Sequence, residues 1–163
     1  MCFYNMAVVS DTHDNPSTIQ RALPIFRDYD VDLVLHCGDV VSPEIVGYFR
    51  GFRTEFVFGN CDEGREAELA EAIEAIGGRS HGVSGEIEWH GKRIFFTHGN
   101  RARLLEDAVY SGEYDLTCSG HLHTREERTY ENTKIINPGS LQYGSFCIVG
   151  GDLTVDFFNT DSL

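Results

Sequence analysis

Lysine is almost missing from this chain of 163 residues: only Lys92 and Lys134 occur, and arginine supplies most of the positive charge. Thirteen basic residues face 26 acidic ones, for a formal net charge of −13. That balance argues against nucleic-acid polymers as a general partner, and none is expected, because phosphate backbones are bound through basic patches. It speaks equally against an anionic membrane surface. Cysteine never occurs as Cys-x-x-Cys, and Cys2, Cys37, Cys61, Cys118 and Cys147 are too widely spaced for a disulfide framework or a structural zinc knuckle. Four of them lie in or beside apolar runs, where a free thiol is ordinarily a small core residue, so a reducing cytoplasm is expected. No apolar run reaches membrane-spanning length. The first residues hold neither a basic n-region nor a cleavage site, so no secretory signal is expected. Met1–Asn5 reads as a short extension with little structural role. An acidic, lysine-poor surface suits a salt-rich cytoplasm, where screening quiets self-repulsion.

What remains is a globular composition long enough to bury a core, read as one domain over residues 1–163. Met6–Ser10 is a short apolar, β-branched run and predicts a buried strand. Asn15 as N-cap and Pro16 at the first helical position predict a helix to about Asp28, with Ile19, Leu23 and Phe26 on one face and Pro24 inside it. Val31–His36 predicts a second strand, Pro43 to about Phe49 a helix, and Phe56–Phe58 a third strand. Glu63–Ile76, rich in Ala and Glu, predicts a helix closed by Gly77-Gly78, with Glu66, Glu68, Glu71 and Glu74 on a solvated face.

Val83–Trp89 and Arg93–Thr97 flank His90-Gly91-Lys92 as a hairpin. A helix from about Ala102 to Tyr110 precedes a Tyr114–Cys118 strand. The rest is β: Arg125–Tyr130, Lys134–Ile136, and a hairpin of Ser145–Val149 with Leu153–Phe158. Buried strands alternating with helices imply parallel strands covered by helices, and the C-terminal meander adds antiparallel ones. The expected class is α/β: two packed mixed β-sheets flanked by helices, an αββα sandwich.

Five of these apolar runs end in metal-competent side chains: Asp11 and His13; Asp39; Asn60; His98; His121 and His123. Ligands of α/β sheets bind beyond the carboxyl ends of the strands, so these residues converge. Each has a bland local reading, a cap, an Asx turn or a loop histidine, but one shared site explains all five together. His36 reads as a core or supporting residue, His81 and His90 as surface. Two aspartates, one asparagine and four histidines are too many for one ion with open positions and about right for two. Mixed nitrogen and oxygen donors without thiolate suit Mn, Fe, Co, Ni or Zn. Two such ions about 3.5–4 Å apart clamp an in-line displacement at phosphorus through a bridging, activated water. Asp39, alone in its loop, is the candidate bridge.

Asp11-x-His13, Gly38-Asp39, Gly59-Asn60-x-Asp62, His98-Gly99 and Gly120-His121-x-His123, in this order and spacing, resemble the calcineurin-like metallophosphoesterase superfamily. The compact length and Asn137-Pro138-Gly139-Ser140 resemble its small prokaryotic phosphodiesterase branch. The resemblance implies that Asp11, His13, Asp39 and His123 hold one metal, and that Asp39, Asn60, His98 and His121 hold a second, with Mn the first candidate. It implies catalytic roles for Asp39, Asn60 and His98, a supporting role for Asp62, and a place beside the site for the Asn137–Ser140 loop. Many members have a histidine where this chain has Cys61, and some have one at Asn100. The implied activity is hydrolysis of a small phosphodiester with a good leaving group, without that general acid. A phosphomonoesterase is the alternative on the same site. The same fold also resembles a eukaryotic scaffold subunit, so a non-catalytic protein-interaction role is the alternative from another class. The pattern is compatible with a homo-oligomer.

Overall fold

The computed structural model describes residues 3–162. Its strands are β1 (Asn5–Val9), β2 (Val31–His36), β3 (Thr54–Phe56), β4 (Arg79–Ser80), β5 (Ser84–Trp89), β6 (Lys92–Thr97), β7 (Leu116–Cys118), β8 (Arg125–Tyr130), β9 (Thr133–Pro138), β10 (Ser145–Gly150) and β11 (Val155–Asn159). The helices are α1 (Pro16–Asp28), α2 (Pro43–Gly47), α3 (Glu66–Ala75) and α4 (Ala102–Ser111). One sheet has the order β11-β10-β1-β2-β3-β4, the other β5-β6-β7-β9-β8. β1 through β4 run parallel, as do β6, β7 and β9; the hairpins at the sheet edges are antiparallel.

Strand alternation builds the layers. In β1, Ala7 and Val9 face α1 and α2 together with Phe26, Phe49 and Phe56. Met6 and Val8 point the other way, into the space between the sheets, against Leu33, Leu35, Trp89, Phe96 and Ile136. In β6, Phe95 turns outward onto Ala108 of α4. Side chains of successive strand residues point to opposite faces, so runs such as MAVV can be apolar throughout only when both faces are covered. The expected two-sheet sandwich with outer helices is what forms.

Several local expectations give way to tertiary bonds. Asn15 does not cap α1; its amide donates to the carbonyl of Gln142 at 2.8 Å and ties the helix start to the C-terminal part of the chain. α3 starts at Glu66 rather than Glu63, because Gly59–Asp62 is held as a tight turn around the Asp62 carboxylate. The glutamates of α3 are solvent-exposed, as expected. α2 is shorter than the predicted helix, ending at Gly47. The two-residue β4 has no sequence signal; Arg79 pairs with Glu55 of β3 and holds it there.

The N-terminal extension is not inert within the described residues. Asn5 starts β1 and donates to Tyr29, and Tyr4 stacks on His90 with ring centroids 3.4 Å apart. Met1 and Cys2 lie outside the described residues. Cys37, Cys118 and Cys147 are buried and Cys61 is exposed, all free. No helix among the described residues is long and apolar enough to cross a membrane.

Candidate metal centre

The residues singled out at strand ends meet at one edge of the sandwich. Asp11 and His13 follow β1, Asp39 follows β2, and Asn60 lies in the turn after β3. His98 follows β6; His121 and His123 follow β7. Close approach of these loops demands unusual backbone. Of the ten described non-glycine residues with positive φ, five are candidate ligands: Asp11, His13, Asp39, His121 and His123. Asp and His tolerate this region better than most residues, but each still costs of order 1 kcal/mol, and such strain gathers at functional sites. Gly59 and Gly120 allow the packing. A Cβ at Gly59 would stand 2.2 Å from Asp39 Oδ1, and one at Gly120 only 1.8 Å from Ser10 Oγ.

Each buried carboxylate spends one oxygen on the protein and turns the other to the site. Asp11 Oδ2 accepts from the Ser10 hydroxyl at 2.6 Å and from the His121 backbone N–H at 3.0 Å. Its Oδ1 faces three imidazoles: His123 Nε2 at 3.1 Å, His98 Nε2 at 3.8 Å and His13 Nε2 at 4.0 Å. Asp39 Oδ1 accepts from the Cys61 N–H at 2.9 Å. Its Oδ2 faces His98 Nε2 at 3.2 Å and His13 Nε2 at 3.8 Å. Burial opposes ionisation of Asp39, but the adjacent His98 and the Cys61 N–H outweigh it and hold the carboxyl well below its usual range.

His98 Nδ1 lies 2.8 Å from the carbonyl of Cys37. A carbonyl can only accept, so Nδ1 carries the hydrogen. Burial opposes the charged ring, but Asp39 and Asp11 outweigh it and raise the pKa of His98; its neutral form, the one a metal would bind, presents the lone pair of Nε2 to those carboxylates. Among buried side-chain atoms, His98 Nε2 and His13 Nε2 have no hydrogen-bond partner. Lone pairs and carboxylate oxygens aimed at one another need a cation between them. The donors of Asp11, His13 and His123 lie within 4.8 Å of one another, as do those of Asp11, Asp39 and His98. The residues thus fit divalent metal by charge, donor type and spacing.

His121 reaches the same region, its ring centroid 5.1 Å from that of His98. Asn60 turns its amide to Cys61 Sγ, 3.7 Å away, and borders a recess with Phe58, Glu63, Glu66, Val83, Asn100 and Arg101. Cys61 itself falls within 4.8 Å of the His13 and Asp39 donors, a proximity that sequence reasoning did not assign. Burial, then the charge of Asp39, push its thiol up to about 11. It is a weaker acid than an ordinary free thiol.

The supporting residues are mostly legible. Asp62 accepts backbone N–H groups from Asp39 at 2.9 Å, Val41 at 2.8 Å and Gly59 at 2.8 Å, and is fully buried. His36 joins the Thr12 hydroxyl and the Gly38 N–H, as its supporting role required. The Asn137–Ser140 loop touches the backbone of two of the ligand loops: Asn137 donates to Gly120 O and Ser140 to Asp11 O, each at 2.9 Å. Ser10 was missed; its only signal is its place directly before Asp11. His90 is a surface residue, but His81 is half-buried, bonded to Glu55 at 2.7 Å.

Two packed mixed sheets with carboxylates and imidazoles gathered beyond their strand ends define an αββα sandwich with a candidate metal centre. The model of the calcineurin-like phosphoesterase superfamily domain matches residues 4–155, and the chain belongs to that superfamily. It is therefore a hydrolase acting on phosphoester bonds. A phosphodiesterase from Methanocaldococcus jannaschii is 34% identical over 139 residues, covering 82% of this chain and 82% of that one. A solved structure described as a novel archaeal phosphodiesterase superposes with a TM-score of 0.89 at 28% identity, covering 95% of this chain and 99% of its own. Vacuolar protein sorting 29 from Cryptosporidium parvum shares the fold alone, with a TM-score of 0.70 at 15% identity over 96% of each chain.

Proposed function

We propose that the chain is a phosphodiesterase whose centre holds two divalent transition-metal ions. One observation carries this reading: the buried Nε2 of His98, its tautomer fixed by Cys37, faces Asp39 and Asp11 with no hydrogen-bond partner. In this proposal Asp11, His13, Asp39 and His123 hold the first ion, and Asp39, Asn60, His98 and His121 the second. The position of Asp39 Oδ2 between His13 and His98 supports its role as the shared ligand. Imidazole and carboxylate donors suit Mn first, with Ni, Co, Fe or Zn as alternatives. Such ions, when bound, polarise phosphate oxygens and make water nucleophilic at neutral pH.

The protein's own groups set what the site can do besides. Asp39 and His98 orient the reacting region, and Asn60 flanks it. Cys61 stands where a general acid is often found, and a thiol pushed up to about 11 gives up its proton reluctantly. A leaving group must therefore depart largely without help from that side chain, which favours small diesters of acidic alcohols. The name of the Methanocaldococcus jannaschii relative supports the diester over the monoester.

The test is hydrolysis of bis-p-nitrophenyl phosphate and p-nitrophenyl phosphate by chelator-stripped protein. Mn²⁺, Ni²⁺, Co²⁺, Zn²⁺ or Mg²⁺ is restored singly, at low and molar salt, beside Asp39→Ala. Metal-dependent diester turnover that vanishes in Asp39→Ala is the expected result. Faster turnover of the monoester would make the protein a phosphomonoesterase. Two ions bound with no turnover under any condition would move the reading to a protein-interaction scaffold.

A further inference from the structure

A second cleft opens against the same loops, on the side of α4. It has a volume of about 190 Å³ and is bordered by Gly99, Gly120 and Leu122 from the ligand loops and by Ala102, Leu105 and Val109 from α4. Gly99 follows His98, and Leu122 stands between His121 and His123, so the cleft lies one residue from three candidate ligands. Its mouth exposes large apolar side chains on an otherwise acidic protein. Leu122 is 71% exposed and Tyr110 65%. Large apolar groups left in water beside a polar site mark a ligand surface more often than a single scattered residue does. The cation at the rim, Arg128, is already paired with Glu126. The cleft offers no free positive charge to a second anionic group.

We infer that this cleft is the subsite for one ester substituent of the phosphodiester, and that the substituent is uncharged and apolar, of aryl size. The inference rests on the diesterase reading and adds its substrate class. Two observations agree with it. The cleft adjoins the loops of His98 and His121. Leu105, Val109 and Leu122 form an aliphatic strip along it, beside the polar side chains of Glu106, Ser119 and Asn137.

The experiment compares diphenyl phosphate with dimethyl phosphate as competitive inhibitors of bis-p-nitrophenyl phosphate hydrolysis by the metal-loaded full chain. Both inhibitors are monoanions, so the metals treat them alike and the ratio of inhibition constants reports the substituent. A preference for diphenyl phosphate of about tenfold or more is expected, the scale of an apolar pocket's discrimination. Leu105→Gln, which makes the wall polar without adding charge, should cut that preference to about twofold or less. Ala102→Trp fills the mouth from an exposed position and should do the same if Leu105→Gln folds poorly. Arg103→Glu lies on α4 outside the cleft and should leave the ratio as it was. An unchanged ratio in both cleft variants would overturn the subsite while leaving the diesterase reading intact. Absence of diester hydrolysis with every metal would overturn that reading, and the subsite with it.

Discussion

His36 donates its Nε2 hydrogen to the hydroxyl of Thr12, 3.0 Å away, and so joins the end of β2 to the loop that carries Asp11 and His13. The tautomer follows from the other nitrogen, which accepts the Gly38 N–H at 3.1 Å. Burial lowers the pKa of His36 to about 3, so the ring stays neutral and keeps both bonds. It also stacks on Phe56, with centroids 5.1 Å apart.

Replacing His36 by Phe should preserve that packing and lose both loop bonds. Groups that orient metal ligands typically account for about 10–100-fold in metal affinity. His36→Phe should therefore keep its far-ultraviolet circular dichroism and bind Mn²⁺ about tenfold or more weakly by calorimetry. Wild-type affinity in a folded variant would remove His36 from the positioning role.

Asp62 holds the β2 and β3 loops together by accepting three backbone N–H groups. Burial and the charge of Asp39 raise its pKa, yet those three bonds favour the ionised form. Asp62→Ala strands the donors in a buried place, at a cost of about 3 kcal/mol. Urea denaturation of chelator-treated protein should show the loss, and a change below about 1 kcal/mol would contradict this account of the loop.

Glu55 is buried between Arg79 and His81 on the short β4 side of the sheet. Burial opposes its charge, but the His81 and Arg79 hydrogen bonds prevail and lower its pKa from 4.5 to about 2. A depressed folded-state pKa stabilises above the unfolded value and is lost as protons bind. The contribution should be complete above about pH 4.5 and fade toward pH 2. Glu55→Gln should flatten the melting temperature's dependence on pH in that window. An identical profile in wild type and variant would assign the acid sensitivity to other carboxylates.

In the proposed mechanism Cys61, its thiol pushed up to about 11, is a poor proton donor to the leaving group. Cys61→His should raise turnover on diesters of weakly acidic alcohols more than on bis-p-nitrophenyl phosphate, because only the former need protonation of the leaving group. General acids contribute about 10²–10⁴-fold where geometry is right, so even a partial gain is measurable. An equal change on both substrates would speak against the general-acid explanation.

The net charge of −13 with two lysines leads to a prediction about salt. Self-repulsion is screened over about 3 Å at 1 M salt, against about 10 Å at 0.1 M. The melting temperature should rise from low to molar potassium chloride. Equal stability at both would discard adaptation to a salt-rich cytoplasm.

The strands and the candidate ligands were legible because both are local signals. A run such as Met6-Ala7-Val8-Val9 is apolar on both faces whatever surrounds it, and Asp11, His13, Asp39, His98, His121 and His123 each follow such a run. Strand ends in parallel sheets share one edge, so topology alone brought these residues together. Asn60 was identified by the same logic, although its amide turns toward Cys61.

Other features depend on partners distant in sequence. β4 exists because Arg79 finds Glu55, 24 residues away, and Asn15 abandons its cap for Gln142, 127 residues away. Only the packed structure decided that His98 turns Nε2 to the carboxylates, that Cys61 becomes a weak acid beside Asp39, and that α4 leaves an apolar cleft against Gly99 and Gly120. The sequence by itself determined which chemistry stands at each strand end. Tertiary structure decided which atom of each side chain is free to perform it, because that freedom is what remains after the buried hydrogen bonds are satisfied.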